Sequence, residues 1–179
     1  MTAEAHPPPQ FVSLYSMSRL ALLAPLLLTA CSNSLEAVQT FTYGGGDVRS
    51  GAISYDRSPP AGGPYSPLWQ NCGVYAAPLY PEYAVHSLAR GAVWVTYRPD
   101  LSPGDLTDLQ NTLGGNAQVL LSPQRRQVAP VMLSAWNAQL ALDSSRDGRL
   151  KRFLGHYAGA SDVPEAGQPC SGGYAGTQE

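Results

Sequence analysis

The segment Leu28-Thr29-Ala30-Cys31 decides which part of this chain of 179 residues has to fold. It closes an apolar run that starts at Leu20, just after Met17-Ser18-Arg19. One Arg makes a charged n-region, Leu20 to Leu28 an apolar h-region, and small residues stand directly before the cysteine. That is the pattern of a bacterial lipoprotein signal peptide. The run is far short of the roughly 20 residues a spanning helix needs. The sequence therefore predicts export, cleavage before Cys31, lipidation of its sulfur, and a membrane tether outside the cytoplasm. Residues 1–16 carry Pro7-Pro8-Pro9 but no Lys or Arg, fit no signal-peptide region, and place the expected start at Met17. Ser32, where an Asp would retain a lipoprotein at the inner membrane, points to the outer membrane of the cell envelope. The expected organisation is 1–30 as upstream extension plus signal peptide, 31–36 as lipid-anchored tether, and 37–179 as a single globular domain.

About 150 residues remain after cleavage, enough for one real core and too few for two. Eleven Lys and Arg face thirteen Asp and Glu, scattered along the chain. No basic stripe exists, so the sequence predicts no nucleic-acid partner. The 18 glycines and 16 prolines predict long ordered loops between short elements. Of the three cysteines, Cys31 is spent on lipid. Cys72 and Cys170 are then an even pair in an exported protein, and a disulfide is expected between them. It would close a very long loop and tie the tail to the middle of the domain. A redox-active thiol calls for Cys-x-x-Cys or one lone exposed cysteine, and neither pattern is present.

Alternation predicts short strands over 38–42 and 52–55, separated by Gly44-Gly45-Gly46. Residues 57–73 are too rich in Pro and Gly for regular structure, and a loop of that length calls for specific pinning. Pro81 opens a helix over 82–90 with Gly91 as its stop. A strand follows over 92–97, then a helix from Ser102-Pro103 to Leu113. Strands over 119–121 and 131–136 flank a polar turn, Gln124 to Gln127. A last helix over 147–157 buries Leu150, Phe153, Leu154 and Tyr157, and the tail is irregular. These elements predict an α+β fold, a small and mostly antiparallel sheet with helices on one face. A thioredoxin-like arrangement is the alternative, because 92–157 reads strand, helix, strand, strand, helix.

Six stretches carry a family resemblance. They are Pro59-Pro60-Ala61-Gly62-Gly63-Pro64-Tyr65, Trp69-Gln70-Asn71-Cys72-Gly73-Val74-Tyr75, Val85-His86-Ser87-Leu88, Gly91-Ala92-Val93-Trp94, Ser134-Ala135-Trp136 and Pro169-Cys170. In order over nearly all of 48–173, they resemble the domain-of-unknown-function family 3105. The resemblance implies an extracytoplasmic, often membrane-anchored domain and no established activity. In the family pattern the Gly-Gly-Pro loop is followed by His and the helix reads Val-His-Ser-Leu-Glu-His-Gly. Two such histidines share a helix face and could grip one metal ion. Imidazole suits zinc, copper, iron and nickel alike. This chain departs from the pattern, with Tyr65 for the loop histidine, Ala89 for the Glu and Arg90 for the second His. An Arg cannot ligate and repels a cation. A rebuilt metal site would draw on His86, Tyr65 and His156, with Tyr83 and Met132 as further candidates.

His86 also has a plainer reading, pinning the Gly/Pro loop by donating to a backbone carbonyl. Arg90 then stands in for the missing cation, pairing with an acid or packing on Tyr65. Trp69, Trp94 and Trp136 read as core. Tyrosines concentrated in loops suit an interaction surface. No Gly-x-Ser-x-Gly, phosphate-binding glycine loop or His-Glu-x-x-His occurs. The expected function is an envelope lipoprotein docking onto another envelope component or onto its own subunits as a homo-oligomer. The alternatives are a copper-binding protein that quenches superoxide and a thiol–disulfide carrier.

Overall fold

Strand β3 (Val93–Tyr97) is buried along its whole length, and its alternation feeds two separate apolar clusters. Val93, Val95 and Tyr97 belong to one cluster, while Trp94 belongs to the other. The computed structural model describes residues 1–2 and 35–178. The lipobox with Cys31, Ser32 and the expected start at Met17 lie outside the described residues. Both clusters lie in one unit, Ser34–Glu179.

Around β3 the sheet also holds β1 (Gln39–Thr40), β2 (Gly73–Val74), β4 (Val119–Pro123), β5 (Val131–Ala135) and β6 (Ala138–Leu142). Their order is β1-β6-β5-β3-β4-β2. β2, β4 and β3 run parallel, whereas β3–β5, β5–β6 and β6–β1 are antiparallel. The fold is a small α+β fold on a mixed sheet. Parallel β3 and β4 need a crossover, and α2 (Pro103–Leu113) supplies it. Its start follows the sequence signal: Pro103 sits in the first turn and the Ser102 hydroxyl accepts from the Asp105 amide at 3.1 Å.

Helices cover both faces of the sheet, which differs from the one-faced expectation. Leu109 and Leu113 of α2, with Leu150, Phe153 and Leu154 of α3 (Arg149–Tyr157), pack in the first cluster. Ala84, Val85, Leu88 and Ala89 of α1 (Pro81–Ala89) pack in the second, against Trp94, Leu120, Trp136 and Tyr65. The reason lies in the parallel centre. β3 and β4 are apolar on both sides, so both sides need cover.

The predicted strand over 52–55 does not form, and that over 38–42 shrinks to β1. Residues 52–55 join no ladder; Tyr55 instead donates its hydroxyl to the Pro64 carbonyl at 2.6 Å. The 57–73 loop is irregular as expected, and it is pinned. Gln139 holds Pro59 O, the Asn137 amide holds Ala61 O, and the Ser87 hydroxyl donates to Gln70 O at 2.6 Å. The disulfide forms between Cys72 and Cys170, with Cα atoms 5.5 Å apart across 98 residues of sequence.

Candidate functional site

Helix α1 presents His86 and, at its C-terminal cap, Arg90 on one face, because residues four apart lie one turn apart. The pinned loop brings Tyr65 over the same face, its ring centroid 4.7 Å from that of His86. Trp136, just after β5, closes the far side of Tyr65 edge-on. The three positions that the resemblance singles out, 65, 86 and 90, therefore converge in space. In this chain they hold one imidazole, one phenol and one guanidinium.

What they converge on is a carboxylate from the tail. Glu165 Oε2 lies 2.9 Å from His86 Nε2 and 3.1 Å from Arg90 Nε, and Tyr65 donates its hydroxyl to Oε1 at 3.1 Å. Arg90 Nε also lies 3.4 Å from His86 Nε2. One nitrogen cannot donate and accept at once. The shorter carboxylate contact assigns the proton to Nε2, and Arg90 then spends its Nε hydrogen on Glu165. The Arg90 guanidinium stacks on Trp69 with Cζ 3.4 Å from the ring centroid, and its Nη1 donates to Pro169 O at 3.0 Å. The Glu165 amide donates to Ala89 O at 2.8 Å, so backbone and side chain of this residue both dock on α1.

The electrostatics follow the contacts. Burial by itself would raise the Glu165 carboxyl's pKa. The His86 hydrogen bond and charge, the Tyr65 hydroxyl and the Arg90 charge outweigh it and hold the group below the ordinary 4.5. Burial and the neighbouring Glu165 charge push the Tyr65 hydroxyl up, so it stays a donor. A carboxyl with a lowered folded pKa contributes stability that is fully present above its unfolded value and is lost as pH falls through the folded one. Glu165→Gln is therefore expected to flatten the loss of stability below about pH 4.5. Urea titrations between about pH 2 and 6 check it. Equal acid slopes in both proteins would remove Glu165 from the account.

The predicted site residues divide cleanly. His86, Tyr65 and Arg90 meet. His86 pins a carboxylate where a loop carbonyl was expected, and Arg90 packs on Trp69, not on Tyr65. His156 stands exposed on α3, whose buried residues belong to the other cluster, with its ring against Tyr157. Tyr83 joins Tyr80 and Tyr174 in a three-ring group, with centroids 5.3 to 6.0 Å apart. Met132 is buried in β5. Sequence reasoning missed Glu165. The signal for it was a His and an Arg one turn apart on an apolar helix, a pair that requires a carboxylate when buried.

Among the described residues no group of three or more His, Cys, Asp or Glu side chains could hold a metal ion. The donors at the cluster are one imidazole, one carboxylate and one phenol, with a guanidinium in the same shell. The guanidinium is a fixed cation that shares the Glu165 carboxylate with the imidazole.

The model of the protein family of unknown function DUF3105 matches residues 48–172, and the chain belongs to that family. The matched span contains Tyr65, His86, Arg90, Glu165 and both bridged cysteines. No curated protein matches the chain. No solved structure matches it either.

Proposed function

We propose that this chain is a non-catalytic cell-envelope lipoprotein whose rigid domain docks onto another envelope component. One observation carries the reading. The side chains at the family's would-be metal positions, Tyr65, His86 and Arg90, are all directed at a carboxylate of the same chain. In this reading Arg90 is a built-in cation that replaces an exchangeable one, and the cluster fastens the tail to α1. The docking surface is the side where Tyr80, Tyr83 and Tyr174 meet, near the edge strand β2 with its exposed Val74. In this reading the segment Leu28-Thr29-Ala30-Cys31 acts as a lipobox and Cys31 tethers the domain outside the cytoplasm.

The copper-binding, superoxide-quenching alternative draws on His86, and the guanidinium beside it disfavours that reading. The thioredoxin-like alternative concerns the fold, and the order β4-β3-β5-β6 with α2 and α3 on one face supports it for 93–157. The test of docking uses tagged full-length chain, cross-linked in native envelopes and extracted in mild detergent. A stoichiometric envelope partner, or a defined homo-oligomer, is the expected result. Recovery of monomer alone would contradict the docking reading.

A further inference from the structure

The cluster is asymmetric in a way that fastening alone does not require. All its donors sit on well-held parts of the fold. His86 and Arg90 belong to α1 and its cap, and Tyr65 to the pinned loop. His86 and Tyr65 are almost wholly buried, and the Arg90 side chain is 10 % exposed. The acceptor alone comes from an irregular segment, residues 158–169, between the end of α3 and Cys170. Most of that strap faces solvent, and Glu165 itself is 28 % exposed. Gly159 and Gly167, both at φ +79°, flank its middle, and an added Cβ at either would meet nothing within 4 Å. What holds the strap besides Glu165's side chain is the Gly159 amide on Gly91 O, the Glu165 amide on Ala89 O, Arg90 on Pro169 O and Val163 against the second cluster. An irregular, largely exposed segment held at so few points marks the low end of local stability.

The donors also specify what they receive. Tyr65 addresses one carboxylate oxygen while His86 and Arg90 address the other. Arg90 is held flat on Trp69, which lies outside the strap, so its orientation is set before the acceptor arrives. Without Glu165, two nearly buried donors and a guanidinium on a side chain only 10 % exposed would lack an anion, and such a pocket favours a replacement.

We propose that His86, Arg90 and Tyr65 form a carboxylate-binding pocket, that Glu165 fills it in cis, and that an acidic group of a partner takes its place when the 158–169 strap lifts. The identity of that partner rests on the docking reading above; the pocket itself does not. Glu165 is then a resident pseudo-ligand, and the strap is the lid of a site for a side-chain or C-terminal carboxylate. A tethered ligand competes at its effective concentration, so a free carboxylate enters the wild-type pocket only when present well above the level needed by an emptied one.

The experiment uses the full-length chain in detergent and sodium acetate as the probe, with sodium chloride at matched ionic strength. Glu165→Ala is expected to melt below wild type and to regain a large part of the loss, saturably, in acetate but not in chloride. Adding Arg90→Ala to that variant abolishes the response. The wild type responds only at about tenfold or more higher acetate. Where Glu165→Ala does not fold in chloride, recovery of its near-ultraviolet circular dichroism in acetate reads the same binding. No saturable acetate effect in Glu165→Ala, or an equal one after Arg90→Ala, overturns the pocket. No wild-type response at any acetate concentration overturns the lifting strap. The two readings fail separately: a missing envelope partner bears on docking, and a missing acetate effect bears on the pocket.

Discussion

Replacing Cys72 and Cys170 together by serine is expected to lower the stability of the domain by about 4 kcal/mol. The bridge spans 98 residues, and closing a loop of that size removes a large share of the unfolded chain's freedom. The bond also holds a seam. On one side of it the Cys72 amide donates to Cys170 O, the Asn71 amide to Tyr174 O and the Tyr174 amide to Trp69 O. On the other, the strap delivers Glu165 to α1. Loss of the bridge therefore loosens the cluster as well as the tail. For a domain of this size the change corresponds to a fall in Tm of about 10 °C. Paired urea melts of the oxidised wild type and the double serine variant check it. A loss below about 1 kcal/mol would show that the seam holds the tail without the bond.

Trp94→Ala carries the second large expected loss, about 3–5 kcal/mol. Trp94 is fully buried in the central strand and packs against α1 in the second cluster. Its Nε1 donates to Ser122 Oγ at 2.9 Å, across the parallel pairing of β3 with β4. The alanine variant leaves a cavity and a buried serine hydroxyl without that donor. Trp94→Phe keeps most of the volume and is expected to lose about 1–2 kcal/mol, most of it the hydrogen bond. Chemical denaturation of both variants separates packing from hydrogen bonding. Equal losses would mean that the ring volume is not what supports α1 on this face.

How far the sequence discloses this fold depends on where each element's cause lies. α2 was legible because its cause is local: Ser102 caps it, Pro103 suits its first turn, and Leu109 and Leu113 give it a face. α1, with Pro81 at its start and Gly91 just beyond its cap, was legible for the same reason. β6 was not. Ala138, Gln139 and Ala141 are poor strand formers, and the hairpin with β5 imposes the strand through pairing that the chain cannot display locally. Tyr55 shows the reverse case, a strand-like alternation overridden when a side chain finds Pro64 O.

The site divides along the same line. His86, Tyr65 and Arg90 stood out as positions, and the disulfide was readable from cysteine parity once Cys31 was set aside as the expected lipid site. Glu165 was not, because nothing near it in sequence marks it; the long closure by Cys170 sets its place. The cover of both sheet faces followed from β3 and β4 being apolar on successive residues, a pattern open to reading as a buried parallel centre.

In the proposed reading Arg90 is the cation of this site and stands in place of an exchangeable metal. Residues 35–178 contain both apolar clusters, so the 32–179 segment is expected to fold by itself. Elemental analysis of that segment, purified from an oxidising compartment, loaded with copper and zinc and then dialysed, tests the claim most directly. The account predicts no retained metal in the wild type. Near-stoichiometric copper or zinc that survives dialysis and disappears in His86→Ala would contradict it.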